Sequence, residues 1–229
     1  SKHELIRFRK YGITRVQIGM QHTDNDILGK LNRESTIEDV MTAIEMMKDS
    51  CFKVDIHIMP DLPFSTVEKD REMFDRLLTD NRLQADQWKI YPTEVLENTE
   101  IKKWYDCGDY RPYAEENIDW LIDLCIYVKE RIPRYIRINR LQRDFPGTYI
   151  LGGNPHTNLR QIIQDKMKLN NKKCQCIRCN EVKDKISTQR PRLTRLDYSS
   201  SNGNEIFLSY NTCNCRLCWR YILYQIVYF

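Results

Sequence analysis

Apolar residues along the first ninety positions keep two rhythms in turn. Residues 13–20 (ITRVQIGM), 52–59 (FKVDIHIM) and 87–91 (QWKIY) are rich in β-branched and aromatic residues at period two, which predicts strands. Between them the period lengthens. Ser35-Thr36-Ile37-Glu38 reads as a capping box opening a helix through Met47, and Ser65-Thr66-Val67-Glu68 opens a second to about Leu78. A short amphipathic helix precedes the first strand. The turn Pro60-Asp61-Leu62-Pro63 closes the second strand and Pro92 the third. Strands alternating with helices predict a parallel sheet or part of a barrel, with right-handed crossovers. In such folds chemistry gathers at the strand C-termini, so the positions to watch are Gln21 and His22, residues 57–62, and residues 92–94.

Farther on, apolar positions 118, 121, 122, 125 and 128 predict one long helix over 115–131. An arginine-rich stretch follows, then a helix over about 158–169. Residues 170–173 (NNKK) mark a boundary. From Leu193 short strands flank Ser201-Asn202-Gly203-Asn204, a hairpin signal. Residues 222–229 are apolar but too short to span a membrane, and read as a core strand.

Composition changes this picture at three points. The 229 residues, 41% hydrophobic and 30% charged, suit a soluble globular protein of one large domain or one domain and a small satellite. No signal peptide opens the chain at Ser1-Lys2-His3-Glu4, and a start without Met suggests a piece of something longer. The net charge of +4 is unevenly placed: ten Lys or Arg lie between Arg131 and Lys173 against Asp144 and Asp165 alone. That block is most often a solvated face, yet its concentration makes a phosphate-rich partner the leading functional reading. Arg134, Arg137, Arg140 and Arg143 recur every third residue around Tyr135, which suits a groove tracking a nucleic-acid backbone, and Lys166 belongs to the same basic set.

Nine cysteines divide into two groups. Cys51, Cys107 and Cys125 sit among apolar residues and are expected to be buried. The other six form two triplets of C-x-C-x-x-C spacing, Cys174/Cys176/Cys179 and Cys213/Cys215/Cys218. With no secretory signal, metal binding is favoured over disulfides.

The string GITRVQIGMQ at 12–21, then Asp26 and Leu28, then Leu31-Asn32-Arg33, resembles a signature shared by several radical-SAM enzymes, including oxygen-independent coproporphyrinogen oxidases. FKVDIHIMPDLP at 52–63, WKIYPT at 88–93, RINRLQRD at 137–144, Asn158 with Arg160, and CQCIRC at 174–179 narrow the resemblance to the catalytic subunit of Elongator, from Gly12 to Tyr210. That resemblance implies an enzyme that modifies wobble uridines of tRNA with S-adenosylmethionine, a [4Fe–4S] cluster and acetyl-CoA. In the family a 5′-deoxyadenosyl radical abstracts hydrogen from the acetyl methyl, and the carbon radical adds to uridine C5.

Carried over residue by residue, the resemblance gives Gln21 and Arg33 as S-adenosylmethionine contacts and His57 as a ribose contact. An amide and a guanidinium suit an amino-acid moiety. Asp61 follows the family's own pattern. His22 and Ser35 depart from it, with consequences for substrate or cofactor fit. Cys174, Cys176 and Cys179 resemble the family's structural zinc site, whose fourth ligand Cys213, Cys215 or Cys218 could supply. The basic residues imply tRNA, and the family implies cytoplasmic location and other Elongator subunits as partners.

The three-cysteine loop for the cluster and the glycine-rich acetyl-CoA loop have no counterpart in the sequence, which marks the chain as a fragment. After Tyr210 the resemblance stops. The expected fold is α/β, the C-terminal part of a partial TIM-like radical-SAM barrel. Residues 1–92 supply its last strand–helix units; 93–169 an extension with the basic face; 170–192 a cysteine-rich zinc linker; 193–229 the truncated start of an acetyltransferase-like sheet. A rival reading is a non-catalytic remnant that holds tRNA or a partner protein.

Overall fold

The computed structural model describes residues 1–181 and 190–211, together with the backbone of a strand at 217–220. Helix α1 (Lys2–Lys10) leads into strand β1 (Arg15–Gln21), and helices α2 (Asn25–Lys30) and α3 (Ile37–Asp49) lead into β2 (Lys53–Ile58). Helix α4 (Val67–Thr79) connects β2 to β3 (Gln87–Ile90). A small unit follows, with β4 (Glu94–Leu96), α5 (Glu100–Cys107), α6 (Tyr113–Glu116) and α7 (Ile118–Arg131), before β5 (Arg137–Arg140). Strand β6 (Ile150–Gly153), α8 (Leu159–Leu169), α9 (Ile177–Asn180), β7 (Arg192–Ser200), β8 (Gly203–Asn211) and β9 (Leu217–Arg220) complete the order.

β1, β2, β3 and β5 form a parallel sheet in that order, with Gln17 opposite Asp55, Asp55 opposite Gln87, and Gln87 opposite Arg137. Period-two alternation gives the sheet two unlike faces. Val54, Ile56, Ile58, Trp88, Ile90 and Ile138 are almost fully buried in the core with residues of α3, α4, α7 and α8. On α3 the apolar positions Ile37, Val40, Met41, Ile44 and Met47 recur at helical spacing; on α4 they are Met73, Phe74 and Leu77. The opposite face carries Gln17, Asp55, His57, Gln87, Lys89 and Asn139. A parallel sheet covered on both faces reads as a continuous apolar run, so this polar face is the side the core helices leave uncovered, where the expected barrel has its lumen.

Local chemistry sets the helix ends, one residue from their expected places. Thr36 caps α3 and forms a reciprocal capping box with Asp39, in place of the Ser35/Glu38 pair. Thr66 caps α4, while Ser65 donates to Asp70 at 2.6 Å. The single helix expected over 115–131 is broken: Asn117 leaves helical geometry, its side chain accepts from Asp119 N–H at 3.0 Å, and α6 and α7 meet there. β5 is a fourth parallel strand inside the arginine-rich segment, whose charge hides its alternation.

Beyond the sheet, β4 and β6 pair antiparallel, and β7–β8–β9 form a separate antiparallel sheet. Ser200 and Gly203 face each other across a turn with Ser201 at φ 51°, so the hairpin lies where residues 201–204 predict it. Cys125 is buried as expected, but Cys51 and Cys107 are exposed. Cys51 occupies a left-handed turn after α3 (φ 59°), and Cys107 ends α5 ahead of the left-handed Gly108, so both lie at helix exits and not on apolar faces. No helix among the described residues is long and apolar enough to cross a membrane. The expected strand at 222–229 lies outside the described residues.

Candidate cofactor lumen and cysteine site

The polar face is a connected network. Lys89 Nζ donates to Gln17 Oε1 at 2.8 Å and lies 3.6 Å from the buried Asp55 carboxylate. His57 Nε2 lies 3.1 Å from the same Gln17 oxygen, and its ring meets Tyr91 edge-on at 5.5 Å. Asn139 reaches Asp55 and Gln87, and Arg15 donates to Gln87 at 3.1 Å. Burial, and then the Lys89 ammonium, hold the His57 imidazole below its ordinary pKa, so it is neutral at pH 7.

Gln21 and Arg33 meet at the C-terminal end of β1. Arg33 Nη2 donates to the Gly19 carbonyl at 2.6 Å. A Cβ on Gly19 would stand 2.9 Å from Gln21 Nε2 and 3.5 Å from Arg33 Nη2, so this glycine makes room for both side chains. Gln21 itself sits at φ 68°, a left-handed conformation costly for a non-glycine residue. Its amide oxygen is buried with no hydrogen-bond partner. An orphaned acceptor, a strained backbone and an exposed guanidinium at a strand C-terminus are the features of a ligand cradle, and they fit the amino-acid end of S-adenosylmethionine.

Beneath the mouth lies a buried polar knot. The Asp61 carboxylate accepts the Tyr113 and Ala114 N–H groups at 2.7 and 3.0 Å. Asp70 accepts from Asp61 N–H, Ser65 and Tyr113. His22 accepts from Asp24 N–H through Nδ1, leaving Nε2 3.3 Å from Asp70. His22 thus joins β1 to α4. At the mouth, burial raises the Glu94 carboxyl to about 7 against the opposing pull of Arg143. Glu94 lies in the 92–94 stretch expected at a strand C-terminus, whereas nothing in the sequence flagged Gln17 or Lys89 singly; only their period-two phase separates them from solvent-facing positions.

The cysteine site lies apart from the lumen. The Sγ atoms of Cys174, Cys176 and Cys179 all fall within 4.8 Å of one another, a spacing that fits a tetrahedral thiolate metal. Asn180 donates to the Cys174 and Cys176 carbonyls at 2.9 Å each, and Ile177 N–H bonds Ile136 at 3.0 Å, which ties the loop to β5. Lys129, fully buried on α7, donates to Cys179 Sγ at 3.4 Å. Hydrogen bonds from Cys174 and Cys176 hold the Cys179 thiol well below the usual range. The second triplet, Cys213, Cys215 and Cys218, lies outside the described side chains.

The five basic residues expected to face RNA each have a partner within the chain. Arg134 donates to Gln175 at 3.4 Å, Arg137 pairs with Glu181, and Arg140 pairs with Asp144. Arg143 lies over the Tyr91 ring at 5.2 Å, beside the lumen. Lys166 bridges Asp119 and Asp123 of α7 at 2.8 Å each.

Residues 1–77 match the Radical SAM superfamily and residues 85–169 the Radical_SAM C-terminal domain. A tRNA uridine(34) acetyltransferase of Methanocaldococcus infernus is 37% identical over 217 residues, 92% of this chain and 40% of that protein. Elongator complex protein 3 of Dictyostelium discoideum is 36% identical over 91% of the chain, and that of Homo sapiens 33% over 91%. An archaeal Elp3 structure from Methanocaldococcus infernus, with an N-terminal deletion, superposes at a TM-score of 0.87 with 37% identity, over 95% of this chain and 52% of that one. The chain spans about 40% of the length of the curated relatives it matches. By these likenesses, the chain belongs to the radical-SAM superfamily and, within it, to the family of Elongator complex protein 3 and the archaeal tRNA uridine(34) acetyltransferases.

Proposed function

We propose that this chain forms the cofactor-holding and tRNA-facing part of a radical-SAM acyltransferase that modifies C5 of the wobble uridine in tRNA. The observation that carries the reading is the convergence of Gln21 and Arg33 on Gly19 at the end of β1, above a polar lumen. Arg33 would hold the methionyl carboxylate and the orphaned Gln21 oxygen an N–H donor of the same ligand, with His57 near the ribose. When bound, S-adenosylmethionine supplies the family's radical chemistry. The chain's own lumen residues orient the ligand, with His57 held as a neutral hydrogen-bonding group, while the raised Glu94 carboxyl offers a site for a proton near neutrality.

In the family a [4Fe–4S] cluster rests on cysteine thiolates beside the S-adenosylmethionine it binds. Among the described residues the one set of metal-spaced thiols is Cys174, Cys176 and Cys179, which sits away from the lumen and fits a structural zinc instead. Other Elongator subunits and a cytoplasmic setting belong to the same reading, by family likeness alone.

The test is binding of S-adenosylmethionine by equilibrium dialysis, beside tRNA binding on filters. The wild-type chain is expected to bind both, and Arg33→Ala to lose most of the S-adenosylmethionine affinity with tRNA affinity unchanged. Equal S-adenosylmethionine binding by wild type and by Arg33→Ala and Gln21→Ala variants would sink the lumen assignment.

A further inference from the structure

Along β5, the edge strand of the parallel sheet, a cavity of about 420 Å³ opens between the segment after the strand, the start of α8 and α9. Three guanidinium groups line it, from Arg140, Arg160 and Arg178, with Asp144 as the acidic residue of the lining. Asp144 is 72% exposed and pairs with Arg140, so the wall keeps an excess of two positive charges.

The two inner arginines hang on consecutive carbonyls of β5. Arg160 Nη2 donates to Ile138 at 3.1 Å, and Arg178 Nη1 donates to Asn139. Arg160 Nη1 is buried and has no hydrogen-bond partner. Burial, and then the adjoining Arg178, disfavour the charged form of Arg160. The nearby thiols do not remove the imbalance: three thiolates around a divalent metal leave one negative charge, and Lys129 already donates to Cys179. Two neighbouring guanidinium groups with a buried N–H lacking an acceptor form a receptor for an oxyanion. α8 adds the favourable end of its dipole, since its N-cap Asn158 lines the same cavity.

The geometry points to a phosphate site: Arg140, Arg160 and Arg178 grip one backbone phosphate of an RNA whose target base enters the lumen. The inference rests on the tRNA reading above and deepens it. The choice of a backbone phosphate comes from position. Asn139 holds Arg178 through its carbonyl and joins the lumen network through its side chain, so one residue of the edge strand separates the two sites. A phosphodiester offers two non-bridging oxygens to paired guanidinium forks.

The experiment uses an anticodon stem-loop RNA and, separately, inorganic phosphate, with wild type, Arg140→Gln, Arg160→Lys and the Arg140→Gln/Arg178→Gln double variant. Each variant is first checked for an unchanged melting curve and cysteine-site metal content; Arg160→Lys keeps the charge and loses the fork, so it serves if the double variant misfolds. RNA affinity is expected to fall in each variant, and the log–log salt slope to become shallower by roughly 0.7–0.9 where a phosphate contact is lost with its charge. RNA affinity and slope equal in wild type and all folded variants would overturn the phosphate site while leaving the tRNA reading intact. No RNA binding by wild type would overturn the tRNA reading and this site with it. Inorganic phosphate raising the melting temperature of wild type, with RNA binding insensitive to every variant, would assign the cavity to a free anion and overturn the backbone assignment.

Discussion

Single residues carry the lumen, and Gly19 is the most constrained of them. Its hydrogen faces the far end of a flexible glutamine, so a methyl group there can be accommodated by moving the Gln21 amide and not the backbone. Gly19→Ala is therefore expected to change stability by no more than about 1 kcal/mol while markedly weakening S-adenosylmethionine binding, read by paired melting curves and dialysis. Asp61 gives a pH signature. Burial raises its carboxyl to about 8 despite two N–H donors at the start of α6. An unfolded Asp titrates near ~3.9, so the native chain holds a proton that the unfolded chain has lost. The Asp61 contribution is therefore complete below about pH 4 and is lost as pH rises toward about 8. Urea melts across that window should show stability falling with pH, and Asp61→Asn should flatten the fall at an overall cost of about 1 kcal/mol for the weakened acceptor.

At the scale of elements, the cysteine loop works as a staple. It bonds β5 through Ile177 and Arg178 and α7 through Gln175 and Lys129, and Ile177 packs on Phe207 of β8. Metal at Cys174, Cys176 and Cys179 would fix all of these at once. About one zinc per chain is expected by metal analysis, with Cys176→Ser releasing it and lowering the melting temperature to that of chelator-treated wild type, because a structural metal contributes folding energy directly. A variant that melts like zinc-loaded wild type would show that the loop holds its place without metal. The triplet was legible because ligand spacing is local. That Lys129, fifty residues away, would donate to it was not.

Across the whole molecule, a buried ion cluster docks the hairpin on the sheet. Lys48 is 2% exposed and reaches Asp86 at 3.2 Å and Glu205 of β8 at 2.7 Å; Lys53 also meets Asp86, at 2.9 Å. Burial would raise Asp86, yet Lys48 and Lys53 hold it below its ordinary pKa. Stacked Tyr135 and Tyr198, 3.6 Å apart, close the same junction, and Tyr198 donates to Glu205. Removing one charge leaves the others buried without balance, so Lys48→Met should cost about 3–5 kcal/mol in denaturant unfolding. Lys48→Met/Glu205→Leu should recover part of it, since Asp86 keeps Lys53 and the Val54 N–H. A double variant no more stable than the single would show that Glu205 stabilises the junction apart from Lys48.

The amino-acid sequence by itself determined the strands and helices around the lumen, the hairpin turn at Ser201, the cysteine spacing and the family. These follow from periodicity, capping and motif order, which act over a few residues. It misplaced caps by one position because Ser35-Thr36 and Ser65-Thr66 each offer two adjacent hydroxyls, and geometry chose the second of each. Only the tertiary structure decided which face of the sheet is polar, that β5 joins it, that Cys51 and Cys107 are exposed, and where each arginine goes. Arg137 and Glu181 are 44 positions apart, and Lys48 and Glu205 meet across most of the chain. A charge chooses its partner by distance and burial after the chain has folded, and neither quantity is written in its neighbours.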